Sequence, residues 1–125
     1  MKSTIDKINK FRDDRDWRKF HNEKDLAISI SIEASELLEL FQWKESKEVT
    51  SKSLGRIKEE LADVLIYSFM LADNLQLDVE KIIETQMMIE VVRNAISRLN
   101  AEEKDIIERL YFNDECIALI QRVKS

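Results

Sequence analysis

The sequence predicts an all-α protein, a bundle of helices, and three observations predict it. The 125 residues include 1 Gly and no Pro, too few turn formers for an all-β fold. Hydrophobic residues make up 44% and charged residues 36%, a balance that suits a helix-rich globular chain and argues against disorder. Apolar residues recur at helical spacing through four long segments.

Taken in order, Ile5, Ile8 and Phe11 mark a first helix over 4–15. Trp17-Arg18-Lys19-Phe20-His21 then leads to Asn22, an N-cap with Asp25 at the third helical position, opening a helix that runs to about Trp43. The polar stretch 46–53 (SKEVTSKS) reads as a connecting loop. A second long helix follows from Leu54 to Asn74, and Asp78 caps a third from Val79 to about Leu99. Asn100 with Glu103 is a capping pair for a short helix to Tyr111, and Asn113-Asp114 opens another toward the C-terminus. Met70, Met87 and Met88 fall at apolar positions and read as packing, as does Phe20.

The composition excludes several function classes. With so little Gly there is no glycine-rich phosphate loop and no dinucleotide fingerprint. The lone Cys116 rules out an internal disulfide framework and a thiolate zinc site. A net charge of −5 makes nucleic acid an unexpected partner. Apolar runs are too short to span a membrane, and the acid-rich first residues lack the apolar core of a signal peptide, so a cytoplasmic location is expected.

Glu33-Ala34-Ser35-Glu36 and Glu60-Leu61-Ala62-Asp63 are two i,i+3 carboxylate pairs in the middle of consecutive helices. If the helices form an antiparallel hairpin centred on residue 48, Glu33 lies level with Asp63 and Glu36 with Glu60. A single such pair is ordinary surface decoration. Here Leu26, Ile30, Leu37 and Leu40 on one helix, and Leu61, Val64, Leu65 and Ile66 on the other, set the acids within or beside the apolar stripe. Four converging carboxylates repel unless a cation neutralises them. All-oxygen donors favour Mg²⁺ or Mn²⁺, and the one histidine disfavours a di-iron or zinc centre.

The run Ile32–Trp43 (IEASELLELFQW), followed by Lys58–Tyr67 (KEELADVLIY), resembles the MazG-like nucleotide pyrophosphohydrolases, in particular their small dCTP pyrophosphatase-like branch. Phe11-Arg12-Asp13 and Trp17–His21 fit that branch too, so the resemblance covers about residues 3–85. It implies a metal site between antiparallel helices, completed by oligomerisation into a homodimer or homotetramer. It implies hydrolysis of a (deoxy)nucleoside triphosphate to the monophosphate and pyrophosphate, with Mg²⁺ held by Glu33, Glu36, Glu60 and Asp63. Glu33 or Glu36 would orient or deprotonate the water. His21, Trp43 and Tyr67 would line the nucleoside pocket with Trp17 nearby, since aromatic faces stack on bases.

The branch usually carries a Lys and then an Asn four residues later in the next helix; here those positions are Gln86 and Glu90. Lys58, Arg56 or Arg93 are the cations expected to take over the phosphates. The expected organisation is a pyrophosphohydrolase domain over 1–91 and a divergent helical tail over 92–125 serving packing or oligomer contact. Part of that tail, 95–112, resembles the first helix of sigma-factor region 4, but too few residues follow for a turn and a recognition helix. The alternative from another class is a non-catalytic helical binding or regulatory module that keeps the metal-site geometry.

Overall fold

In a computed structural model, residues 2–111 are described, and their regular structure is helical throughout. Helix α1 spans Lys2–Asp14, a 3₁₀ turn spans Arg18–Phe20, and α2 spans Glu23–Phe41. Then come α3 (Ser46–Lys52), α4 (Leu54–Asn74), α5 (Val79–Ser97) and α6 (Ala101–Tyr111). The helix expected from Asn113-Asp114, and Cys116, lie outside the described residues.

Two of the caps read from the sequence, Asn22 and Asn100, form. Asn22 Oδ1 accepts the Asp25 N–H at 2.8 Å, satisfying a donor that the first turn of α2 leaves free. Asn100 Oδ1 accepts from Glu103 N–H at 2.9 Å while its Nδ2 donates to Glu103 Oε1 at 2.8 Å. The pair thus closes on itself at the start of α6.

The chain divides into two compact units, one to Val79 and one from Glu80. In the first unit α2 packs along α4, with α1 and α3 also against α4. Leu26, Val49, Met70 and Ala72 are buried there. Each fully buried large apolar side chain contributes about 2 kcal/mol. Contacts at two levels fix α2 and α4 as antiparallel: Asn74 Nδ2 donates to the His21 carbonyl at 2.7 Å, and Glu36 meets Glu60.

Residues 46–52 are helix α3, not the loop the polar composition suggested. A single apolar residue, Val49, is enough to dock this short helix, because it is 2% exposed. The polar residues serve the helix locally. Thr50 and Ser51 hydroxyls donate to the carbonyls three residues back, and Lys52 pairs with Glu48 one turn away.

Two packing expectations are corrected. Phe20, expected in the core, is 64% exposed because it sits on the short 3₁₀ turn, where the Lys19 ammonium lies 5.1 Å from its ring centroid. In the second unit Ile96 is buried, yet Met87 and Met88 are 62% and 63% exposed. The apolar residues of α5 are spread around most of its circumference, so packing on one side leaves others in solvent.

Candidate functional site

The mid-helix acids of α2 and α4 meet. One ligand oxygen each from Glu33, Glu36 and Glu60 lies within 4.8 Å of the others. The i,i+3 spacing sets Glu33 and Glu36 on one face of α2, and the antiparallel register brings Glu60 of α4 to the same level. Glu60 is 5% exposed, and its Oε1 accepts from Arg56 Nη2 at 2.9 Å. The other oxygen of Glu60 and Oε2 of Glu33 are buried without a hydrogen-bond partner.

Desolvation pushes the Glu33 carboxyl up to about 7, helped by the close approach of the Glu36 carboxyl and by the charges of Glu36, Asp63 and Glu60. Glu60 is also raised, first by desolvation, then by the close approach and charge of Glu36, with Arg56 opposing. Asp63 is half-buried and stands outside the three-residue cluster, acting on Glu33 and Glu60 through its charge. Clustered carboxylates with buried oxygens that lack donors fit a hard divalent cation: it would neutralise their repulsion and fill empty lone pairs.

Beside the acids, Glu36, Glu39, Leu40, Lys44, Arg56 and Glu60 line a cavity of about 370 Å³. Lys58, the cation expected on the phosphates, is exposed and does not line it. It lies on another face of α4, two residues from Arg56 and therefore turned well away from it.

The aromatic residues form a row that runs toward Tyr67 on α4. Phe11 and Trp17 meet edge-on at 5.5 Å between centroids, Trp17 and His21 at 6.0 Å, and His21 and Tyr67 at 6.3 Å. Tyr67 lies one turn beyond Asp63. Desolvation and the charges of Glu33 and Asp63 raise its phenol, which ties the row electrostatically to the acids. Desolvation and then the Arg12 charge lower His21, which favours the neutral imidazole, and its Nδ1 is buried without a partner. Trp43 stands apart from this row. It is 94% exposed, at φ 65°, where the chain turns out of α2.

Sequence reasoning missed the residues that hold the row in place. Arg12 has no exposed surface; its Nη2 donates to Asp73 Oδ2 at 2.9 Å and to Asn9 Oδ1 at 3.4 Å. Asp73 also accepts from Asn9 Nδ2 at 3.1 Å and Arg18 Nη1 at 3.3 Å. Arg18 pairs with Asp13 as well, and the Arg12 carbonyl accepts the Trp17 N–H at 2.9 Å. A mostly charged α1 gave no signal that its one arginine would be interior.

Fold and site together define an all-α protein with an acidic centre between antiparallel helices. The MazG-like family model matches residues 28–111, and the chain belongs to the MazG-like family. It is similar to dCTP pyrophosphatase 1 of Rattus norvegicus, 37% identical over 82 residues, covering 62% of this chain and 48% of that protein. Against dCTP pyrophosphatase 1 of Homo sapiens the identity is 36% over 84 residues, covering 63% and 49%. The chain thus spans about half the length of these curated relatives. A crystal structure of a pyrophosphatase from Archaeoglobus fulgidus superposes with a TM-score of 0.68 at 42% identity, covering 70% of this chain and 85% of that one. Among the described residues no helix is long and apolar enough to cross a membrane.

Proposed function

We propose that the protein is a divalent-metal-dependent nucleoside triphosphate pyrophosphohydrolase, acting on a (deoxy)nucleoside triphosphate of the dCTP type. The observation that carries the reading is the meeting of Glu33, Glu36 and Glu60 with two buried, unpartnered carboxylate oxygens. The names of the relatives, dCTP pyrophosphatase and pyrophosphatase, support the same chemistry.

Glu33, Glu36 and Glu60 hold Mg²⁺, or Mn²⁺ in its place, and Asp63 completes the set. The bound cation supplies charge neutralisation on the phosphate oxygens. Glu33 and Glu36 orient the attacking water, and one of the pair takes its proton. The water oxygen bonds to the α-phosphorus, and the bond from that phosphorus to the α–β bridging oxygen breaks. Its electron pair leaves with pyrophosphate, and the monophosphate remains. His21 and Tyr67, with Trp17 behind them, receive the nucleoside, and Trp43 adds a face once a partner subunit or substrate covers it.

Residues 1–91 carry this activity and 92–125 serve packing or oligomer contact. A homodimer or homotetramer is favoured because Ile28 and Ile32 on α2, and Leu61 and Leu65 on α4, stand about half exposed at i,i+4 spacing. The cytoplasm, where nucleotides are made and used, is the proposed location.

Product analysis tests the reading. The protein is incubated with Mg²⁺ and a panel of NTPs and dNTPs, with Glu36→Gln as control. Monophosphate plus pyrophosphate from the wild type alone is the expected outcome. A folded wild type that releases no pyrophosphate from any nucleotide overturns it in favour of a non-catalytic binding module.

A further inference from the structure

We propose that Lys44 and Arg56 grip the pyrophosphate end of the substrate, in the cavity that they share with Glu36 and Glu60. The inference deepens the pyrophosphohydrolase reading and rests on it.

Lys44 follows the left-handed turn at Trp43, and its backbone N–H donates to the Phe41 carbonyl at 3.1 Å, which fixes where its side chain starts. It forms no ion pair among the described residues, so its ammonium is uncommitted. Arg56 comes from the opposite wall, on the first turn of α4. Its guanidinium is 61% exposed while bridging Glu59 at 3.0 Å and Glu60 at 2.9 Å. An arginine so exposed can exchange one carboxylate for another anion at little cost. Its forked donors match phosphate oxygens, and it can keep Glu59 while turning from Glu60.

The charges lining the cavity set the order of events. Three carboxylates (Glu36, Glu39, Glu60) face two cations (Lys44, Arg56), so the empty cavity repels a polyphosphate. With a divalent ion held by Glu36 and Glu60 the balance would reverse, and Arg56 would be free to turn from Glu60. The volume of about 370 Å³ accommodates a pyrophosphate group with its water. Glu60, 5% exposed with one oxygen lacking a donor, lines this cavity and would hold the metal at its wall.

Calorimetric titration of inorganic pyrophosphate into the full chain tests this, with and without Mg²⁺. The wild type should bind pyrophosphate in Mg²⁺ and not in EDTA. Lys44→Ala and Arg56→Gln should each weaken binding by about tenfold, the loss expected for one charge-assisted contact. The Mg²⁺-induced rise in melting temperature should survive in Lys44→Ala, which separates phosphate contact from damage to the metal centre. Equal affinities in wild type and Lys44→Ala, or a wild type that binds no pyrophosphate in Mg²⁺, overturn the proposal. Should Arg56→Gln fail to fold, Lys44→Ala decides alone. Lys44-dependent pyrophosphate binding without turnover of any nucleotide would remove the pyrophosphohydrolase reading and leave this site standing.

Discussion

Arg12 reaches Asp73 at 2.9 Å across 61 positions of sequence, joining the interior face of α1 to the end of α4. Arg12 is wholly buried while Asp73 keeps about a quarter of its side chain in solvent. Two of its guanidinium nitrogens, Nε and Nη1, lack partners. Burial lowers the guanidinium from its usual range, with Arg18 adding to the effect and Asp73 opposing it. The contact clamps the segment from Trp17 to His21 against α4 at the level where Asn74 holds the His21 carbonyl.

Arg12→Gln removes the shortest ion pair of Asp73 but leaves it Arg18, Asn9 and partial solvent, so it should cost about 1.5 kcal/mol in urea unfolding, the scale of one charged hydrogen bond. Asp73→Asn should cost more than any exposed pair, because the wholly buried Arg12 loses its counter-carboxylate while Arg18 keeps Asp13. A loss below about 0.5 kcal/mol for Arg12→Gln, the level of a surface pair, would show that the contact is incidental.

His21 is the chain's single histidine, so its ring protons can be followed by NMR without assignment. Its midpoint should fall below the ordinary value of 6.5, because burial and the Arg12 charge both disfavour the imidazolium. A depressed histidine binds protons more weakly when folded, so its contribution to stability is present above 6.5 and is lost as pH falls. A midpoint at or above 6.5 would contradict the geometry.

Glu33 acts in the opposite sense. Its folded carboxyl is raised to about 7 from 4.5, so the folded state holds the proton more tightly than the unfolded state. Without metal, that contribution to stability should decline as pH rises from about 4.5 to about 7 and then level off. Mg²⁺ should restore the melting temperature at the upper end and release protons as it binds. Calorimetry in two buffers of different ionisation enthalpy reads that release directly.

Glu60→Gln should separate stability from metal binding. With less repulsion beside Glu36, the metal-free variant should melt at or above the wild-type temperature, while the Mg²⁺-induced rise is lost. A variant that retains the full Mg²⁺ shift would remove Glu60 from the ligand set.

Trp43 offers a test with little structural confounding. At 94% exposure it packs on almost nothing, and its φ of 65° is one that glycine adopts freely. Trp43→Gly should leave stability within about 1 kcal/mol of wild type. If Trp43 stacks on the base, the variant's KM for nucleotide should rise while the Mg²⁺ shift is unchanged.

What could be read from the sequence is what depends on neighbours within a turn or two. The spans of α2 and α4, the Asn22 and Asn100 caps, and the i,i+3 acids on one helix face are all of this kind, because helical periodicity fixes them locally. The register that sets Glu36 beside Glu60 was readable too, since an antiparallel hairpin has a centre of symmetry. The fold was therefore legible almost throughout, except where Val49 alone turns a polar stretch into α3. Tertiary structure decided the rest. It chose Arg56 and Lys44 rather than Lys58 for the cavity wall, kept Trp43 out of the aromatic row, and buried Arg12 against Asp73. It also raised Glu33 toward neutrality. These outcomes depend on how each helix is rotated about its axis and how much water its side chains lose, quantities set by contacts dozens of residues away in sequence.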